Sequence, residues 1–380
     1  GSSDLPVANN NVRVALQSLI DRTTEAGQLM DDAESTTSIR LLDPNVVSSA
    51  FAQLQQFRPY YQFSDMLNVD RYRIDGQTQD TVIATRELNP DQIQGWYNQS
   101  VVYTHGYGVV AAYGSRVQSD GKPQFMQAGI PSRGEISNDY EPRIYFGELL
   151  AKIDPDYALV GSDDGQAREH DIGDDKYTYQ GPAGVSLGNW FDRALYAGKY
   201  AERNFLLSGE INSASKIIYN RDPRDRVEQV APWLTVDSKT YPAVMEDGSI
   251  KWIVDGYTTL DDYPYSQPTS LQSATADAQD LNPGQTGRTQ INNTVSYVRN
   301  SVKATVDAYT GEVELYQFDT DDPVLKTWME VFPDTVKSRA DFDAQTSLRD
   351  HVRYPEDIFK IQRSLLTRYH VDSPQTFFQA

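Results

Sequence analysis

The chain has 380 residues, of which 34 are basic and 54 are acidic, so its formal net charge is -20 at pH 7. A charge of this sign repels phosphate backbones, and we expect no nucleic-acid partner. With 39% hydrophobic and 11% aromatic residues the chain is globular, and the lack of cysteine excludes disulfides and thiolate metal sites.

The first segment, residues 1–66, is predicted to be helical. Val47 and Phe51 follow the spacing of one helix face, and Pro59 ends the helix. Gly1-Ser2-Ser3 resembles the scar of an expression tag, so we expect a piece of a longer protein. No apolar run reaches the ~18 residues that a membrane helix requires.

A central α+β domain is predicted for residues 67–265. Short runs of β-branched and aromatic residues at 68–74 and 81–85 are typical of strands, and Asp75-Gly76 between them is a turn signal. A β-hairpin is predicted further along, at 241–258.

One long helix is predicted over 186–207, where the apolar residues are numerous enough for a broad buried face. Those residues include Leu187, Trp190, Phe191, Leu195 and Phe205.

The last third of the chain is predicted to differ in character. Residues 266–290 are poor in apolar side chains, which indicates a mobile loop or linker. Residues 291–380 are predicted to form a hairpin and helices that pack on the central domain, with helix starts at Asp322-Pro323 and Pro355. The sequence therefore predicts an α+β fold, with an antiparallel β-rich centre and helices at the N-terminus, after residue 186 and at the C-terminus.

The most pointed chemical feature is His105, in the run Tyr-Thr-His-Gly-Tyr-Gly at 103–108. The two glycines of this run indicate a bulge or a close backbone approach. We favour a packed, structural histidine, because buried polar groups are normally hydrogen-bonded. One alternative is a catalytic histidine with Glu148 or a nearby aspartate as acid and base, and another is a paired-carboxylate hydrolase that uses Glu148 with Asp255 or Asp307.

Other candidate sites are weaker. The P-loop, the G-x-S-x-G elbow, the H-E-x-x-H pair and the dinucleotide glycine pattern are all missing. No cofactor is expected; calcium is the alternative, although the acidic clusters lack EF-hand spacing. The candidate ligand-binding residues are Tyr103, Tyr107, Arg143, Tyr257 and Tyr263, and the candidate calcium ligands are Asp319, Asp321 and Asp322.

Five segments in order along the chain resemble one bacterial family. They are QQFRPYY at 55–61, YTHGYG at 103–108, PRIYFGE at 142–148, WIVDGYTT at 252–259 and RYPEDIFK at 353–360. The family is uncharacterised protein family 0182, whose members are large integral membrane proteins frequent in actinobacteria. The resemblance runs from about Ile39 to Phe378 and implies an extracytoplasmic region carried by membrane helices outside this chain.

Because the family's activity is unassigned, the resemblance transfers no catalytic residue. We expect a non-catalytic binding or scaffolding module at the cell envelope, with its own membrane helices and envelope proteins, lipid or glycan as partners. Tyrosine, of which there are 24, suits such recognition surfaces. The alternatives are an envelope hydrolase or transferase that uses His105, and a sensor or gating domain for the membrane half.

Overall fold

The computed structural model describes residues 42–153, 156–276, 290 and 292–369. The chain divides into two compact units, each built from segments that are separate in sequence. Unit 1 comprises Gly1–Asp222, Pro242–Lys251 and Asp307–Gly311, and unit 2 comprises Pro223–Tyr241, Trp252–Val306 and Glu312–Ala380.

The predicted fold class is confirmed: helices are combined with antiparallel sheets in a β-rich centre, and helices follow at the C-terminal end. The helices of unit 1 are α1 (Ser48–Gln55), α2 (Trp190–Tyr200) and α3 (Asn204–Leu207). Its strands are β1 (Tyr61–Gln62), β2 (Asn68–Ile74), β3 (Gln77–Thr85), β4 (Glu87–Leu88), β5 (Gly106–Tyr107), β6 (Val109–Val117), β7 (Pro123–Ala128), β8 (Arg133–Gly134), β9 (Arg143–Ile144), β10 (Ala158–Val160), β11 (Glu169–His170), β12 (Lys176–Tyr177), β13 (Val185–Ser186), β14 (Lys216–Ile218) and most of β16 (Tyr241–Val244).

The largest sheet of unit 1 has the strand order β2-β3-β6-β7-β8. Its first hairpin turns at Asp75-Gly76, as predicted, and both residues have the positive φ (50° and 80°) that a two-residue turn requires. Helix α1 packs on this sheet through Phe51, whose ring meets Phe63 and Phe125 edge to face. The sheet and α1 therefore form one hydrophobic core.

The predicted helix over 186–207 is interrupted. Asn189 caps α2 by accepting a hydrogen bond from the Asp192 amide, and Ala201 ends it in the left-handed conformation (φ 52°). Phe205 of α3 is buried, but Trp190 and Phe191 of α2 are exposed, against the expected broad buried face. The inward side of α2 is instead formed by Tyr196, Ala197 and Tyr200.

The strands of unit 2 are β15 (Thr235–Val236), most of β17 (Ile250–Leu260), β18 (Thr269–Ser270), β19 (Thr294–Val295), most of β20 (Tyr297–Asp307) and β21 (Val313–Gln317). Four of them form a sheet with the order β15-β17-β20-β21. The helices of unit 2 are α4 (Pro223–Val230), α5 (Leu271–Thr275), α6 (Pro323–Val331), α7 (Arg339–Ala344), α8 (Thr346–His351) and α9 (Glu356–Tyr369). Part of the predicted linker at 266–290 forms β18 and α5, and residues 277–289 lie outside the described residues.

Among the described residues, none of the helices combines the length and the apolar character needed to cross a membrane.

The start of α6 illustrates how sequence and packing cooperate in unit 2. Asp322 accepts a hydrogen bond from the Val324 amide and Pro323 occupies the first helical position, as predicted. The carboxylate also accepts hydrogen bonds from the hydroxyls of Thr258, Ser301 and Tyr297 at 2.5, 2.5 and 2.7 Å. These donors outweigh burial and hold the pKa of Asp322 below its ordinary value.

We expect Asp322→Ala to lower the free energy of unfolding by roughly 2–4 kcal/mol, because it removes a helix cap and leaves buried hydroxyls unpaired. Chemical denaturation followed by circular dichroism measures this change. Asp321→Ala, at an exposed neighbour, is the matched control and should change stability little. Equal losses in the two variants would contradict a capping role for Asp322.

Candidate functional site

The segment around His105 is fixed by a close approach of two backbones. Strand β5 pairs with β9, which places Tyr107 opposite Arg143. A Cβ at Gly106 would lie 2.3 Å from the carbonyl oxygen of Arg86, so only glycine fits there. Gly108 follows with a positive φ of 76°. The predicted close backbone approach at these glycines is confirmed.

His105 is only 2% exposed. Its Nδ1 lies 3.0 Å from the carbonyl oxygen of Gly106, so Nδ1 carries the proton and donates it, while the buried Nε2 has no hydrogen-bond partner. The ring packs beside Tyr145 and Tyr177, with centroids 5.0 and 6.4 Å away. Burial lowers the pKa of His105 to about 4, so the ring is neutral at pH 7.

Arg143 lies in the same neighbourhood and already has protein partners. Its guanidinium donates to both carboxylate oxygens of Asp171 at 3.1 and 2.8 Å and to Glu141 at 2.9 Å. It also stacks over the Tyr177 ring at 3.7 Å. A ligand that binds Arg143 would therefore have to displace the carboxylates of Asp171 and Glu141.

Tyr103, another candidate, belongs to a half-buried group of three rings with Tyr60 and His170. The ring centroids lie 4.8 to 5.4 Å apart, and the Tyr60 hydroxyl is 2.8 Å from His170 Nε2. The Tyr60 hydroxyl and His170 Nε2 are thus paired with each other inside the group.

Two buried carboxylates of unit 1, those of Glu169 and Glu87, accept hydrogen bonds from neighbouring segments of the chain. Glu169 accepts hydrogen bonds from the Tyr145 and Thr104 hydroxyls at 2.6 and 2.7 Å, and burial raises its pKa. Glu87 accepts from the amides of Leu149 and Leu150 at 2.8 and 3.1 Å.

Burial raises the pKa of Glu87 to about 7, and the nearby charge of Glu148 adds to the effect. Glu148, the candidate acid, is itself half-buried in unit 1. A Cβ at Gly147 would lie 2.3 Å from Glu87 Oε2, so a side chain at this position would have to displace the Glu87 carboxylate.

The candidates Asp255 and Tyr257 lie in unit 2, in a separate buried polar cluster. Asp255 forms an ion pair with Lys303, and both side chains are buried. The Tyr257 hydroxyl donates to Asp237, whose pKa is raised to about 7 by burial and by the charge of Asp357.

Asp357 fixes the start of α9 in that cluster. It accepts hydrogen bonds from the Ser238 amide and hydroxyl at 2.7 and 2.6 Å and from Gln290 at 2.6 Å. Tyr263, in contrast, is half-exposed and packs beside Tyr297, with ring centroids 5.2 Å apart. His105 and Asp255 therefore belong to different units.

Two of the three candidate calcium ligands, Asp319 and Asp322, use their carboxylates within unit 2, and Asp321 is exposed. Asp322 caps α6, and Asp319 accepts a hydrogen bond from the Asp321 amide at 2.8 Å and pairs with Arg299 at 2.5 Å. Across the described stretches of the chain, no group of three or more histidine and carboxylate side chains is arranged to hold a metal ion.

The surface that sequence analysis missed lies on α2 and α3, and we call it the α2–α3 apolar face. Five large apolar side chains are exposed there, although they were predicted to be buried or were not singled out. They are Trp190, Phe191, Leu195, Leu206 and Leu207. Trp190 is 70% and Leu207 74% exposed, and α3 packs beside α2.

The geometry of α2 explains this exposure. At about 100° per residue, Trp190, Phe191 and Leu195 span ~140° of the helix surface. Tyr196 and Tyr200 lie on the inward side. Helix α2 thus has two apolar sides, and the described residues of unit 1 cover only one of them. The signal in the sequence was an apolar pattern too wide for a single buried stripe.

We expect the stability of the protein to depend on Glu87 in the range from pH 5 to pH 8. A folded pKa of about 7, above the ordinary 4.5, makes the contribution of Glu87 complete below pH 4.5 and removes it as the pH rises through 7. Glu87→Gln keeps the hydrogen bonds without titrating. Relative to Glu87→Gln, the parent should lose on the order of 2 kcal/mol of unfolding free energy between pH 5 and pH 8.

Urea denaturation of both proteins at the two pH values measures this difference. The exposed Glu330→Gln serves as the control and should follow the parent. A Glu87→Gln profile that also follows the parent would show that Glu87 is not a buried, protonated group.

We expect His105 to lower the stability of the protein as the pH falls, which is the opposite of the effect of Glu87. Its folded pKa of about 4 lies below the ordinary 6.5, so its contribution to stability is present above pH 6.5 and is lost as the pH falls through 4. His105→Phe keeps an aromatic ring; it loses the hydrogen bond from Nδ1 to Gly106 but also removes the unpaired Nε2, and because these two effects oppose each other the variant should keep near-parental stability at pH 7 and tolerate acid better. Thermal unfolding at pH 7 and pH 4.5 tests this, with the half-buried His170→Phe as a control that should have a smaller effect. Equal acid sensitivity of parent and His105→Phe would mean that His105 titrates normally.

Comparison with known proteins places most of this chain in one family. The model of the uncharacterised protein family UPF0182 matches residues 10–380. A UPF0182 protein of Kocuria rhizophila is 62% identical over 364 residues, which cover 93% of this chain and 36% of the relative. Similar proteins of Paenarthrobacter aurescens and Mycolicibacterium vanbaalenii are 54% and 50% identical, each over 94% of this chain and 36% and 37% of their own length.

No solved structure matches this chain. The chain spans little more than a third of the length of these curated relatives. Because the family model covers nearly all of its residues, and the predicted resemblance is thereby confirmed, the chain belongs to the uncharacterised protein family UPF0182.

Proposed function

We propose that this chain is a non-catalytic binding module that acts at the outer face of the bacterial cell membrane and engages its partner through the α2–α3 apolar face. The observation that carries the proposal is the exposure of Trp190, Phe191, Leu195, Leu206 and Leu207 on two adjacent helices.

Such a face is costly to leave in water. Aromatic side chains present ~150–250 Å² each, so Trp190 and Phe191, at 70% and 65% exposure, leave on the order of 250 Å² of ring surface uncovered. Contiguous apolar patches of a few hundred Å² on soluble proteins mark interaction sites. The chain as a whole is strongly acidic, with a net charge of -20, whereas the five side chains of this face are uncharged.

The chemistry around His105 supports a structural role over a catalytic one. A general base has to reach the proton that it abstracts, and His105 is buried with its Nδ1 engaged by Gly106. Arg143 is engaged by Asp171 and Glu141. A hydrolase or transferase would need this cluster to open.

The location at the cell membrane extends what the family implies. Relatives carry nearly two thirds of their length outside the matched region, and the proposal assigns membrane helices to that part. Envelope proteins, lipid or glycan are then the candidate partners. A sensor or gating role for the membrane half uses the same face, since a signal has to pass through a contact.

Photo-crosslinking from the α2–α3 apolar face tests the proposal. Because these 380 residues contain no cysteine, Leu195→Cys is the single attachment point within this region for a benzophenone probe, used in a full-length protein in which any cysteine outside the region is replaced by serine. Illumination in intact cells should give crosslinked products from position 195, because an apolar face in contact with a partner brings it within reach of the probe.

The matched control is Leu366→Cys on α9, a leucine of similar exposure in the other unit (59% against 56%). Position 366 should give a different pattern or none. The absence of any protein or lipid adduct at position 195 would contradict a binding role for this face.

A further inference from the structure

The chemical character of the α2–α3 apolar face identifies the kind of partner that it fits. We infer that this face is a membrane-surface contact, which inserts shallowly into the interfacial layer of a lipid bilayer. The inference rests on the proposed function, because it names the partner of the same face.

The first argument is the type of side chain on the exposed side of α2. Tryptophan, phenylalanine and leucine are the residues with which amphipathic helices enter the boundary between headgroups and acyl chains. Trp190, Phe191 and Leu195 project from one side of an eleven-residue helix, while Ala194 and Gly198 between them add no polar group. A helix lying flat on a bilayer would immerse these side chains together.

The second argument is the flank of the helix. The ammonium group of Lys199 lies over the rings of Tyr219 and Tyr200, at 4.2 and 4.9 Å. Tyrosine and lysine are enriched where one end of a side chain is in apolar surroundings and the other in water. Lys199 is exposed, whereas Tyr200 and Tyr219 are partly buried against the core on the inward side of α2, so the ammonium group lies at the border between the exposed and the inward side of the helix.

The third argument is local charge. Residues 190–207 carry three basic and two acidic side chains, a net charge of +1 in a chain of -20. Strong negative charge elsewhere on the protein would oppose anionic headgroups, and this segment is locally free of that excess. Binding should therefore depend on apolar insertion and need no anionic lipid.

The test uses two single-cysteine variants of this chain, Leu195→Cys and Leu366→Cys, each labelled with an environment-sensitive NBD fluorophore. Vesicles of phosphatidylcholine, and of phosphatidylcholine with phosphatidylglycerol, are the probes. We expect a blue-shifted emission, protected from an aqueous quencher, at position 195 and not at position 366. The shift should be at least as large without phosphatidylglycerol as with it.

Vesicle flotation of unlabelled protein provides the second measurement. Leu195→Glu should lower the vesicle partition coefficient about tenfold, because a charge replaces an inserted leucine. Leu366→Glu, at matched exposure, should leave the coefficient unchanged. Circular dichroism confirms that both variants are folded, which is expected since both positions are exposed.

Four outcomes would overturn the inference. Equal blue shifts at both positions indicate non-specific adsorption, and binding that requires phosphatidylglycerol and disappears in salt indicates electrostatic attraction. No vesicle binding, together with protein adducts at position 195 in cells, leaves the proposed binding function standing and assigns the face to a protein partner. If the protein shows neither vesicle binding nor any adduct, both the lipid contact and the proposed binding function are wrong.

Discussion

Both units of this protein bury charged side chains away from water, and the hydrogen bonds that these charges require fix the surrounding backbone. Arg86 is fully buried, donates to the carbonyl oxygens of Gln55 and Tyr107, and lies over the rings of Phe57 and Phe63. An uncompensated buried charge is costly, so the backbone segments that supply its partners cannot move independently. The end of α1 and strand β5 are tied together in this way.

The same requirement decides what the region around His105 is able to do. Glu169 holds the hydroxyls of Tyr145 and Thr104, and Asp171 holds Arg143, so the polar groups closest to the histidine are paired with one another. Reactive side chains that are paired and buried stabilise a fold, whereas catalytic ones need access to substrate. The tyrosines around His105 are therefore best understood as part of a hydrogen-bonded core, in which the buried Nε2 of His105 has no hydrogen-bond partner.

Unit 1 therefore combines a hydrophobic core, in which several charged side chains are buried and paired, with an apolar face on its exterior. Inside the unit, buried carboxylates and arginines are hydrogen-bonded to polar groups, while Trp190 and Leu207 remain exposed to solvent on α2 and α3. A binding module has to keep such a face available, and a rigid core behind it limits the entropy lost on binding. The proposed function and the lipid contact both depend on this arrangement.

The sequence by itself determined the α+β class, the turn at Asp75-Gly76, the helix start at Asp322-Pro323 and the family. These features depend on local backbone preferences, on caps and on ordered segments, and all of these are written in neighbouring residues. The need for glycine at position 106 was also visible locally, although the atom that imposes it, the Arg86 carbonyl oxygen, was not.

Tertiary structure alone decided which side of α2 is covered, because Trp190 and Tyr196 are both large aromatic residues of one helix and the sequence pattern does not tell which of them packs on the core. It also decided that His105 is closed off and that Asp255 pairs with Lys303 in the other unit. Burial and pairing are properties of residues brought together from distant parts of the chain, and no local pattern specifies them.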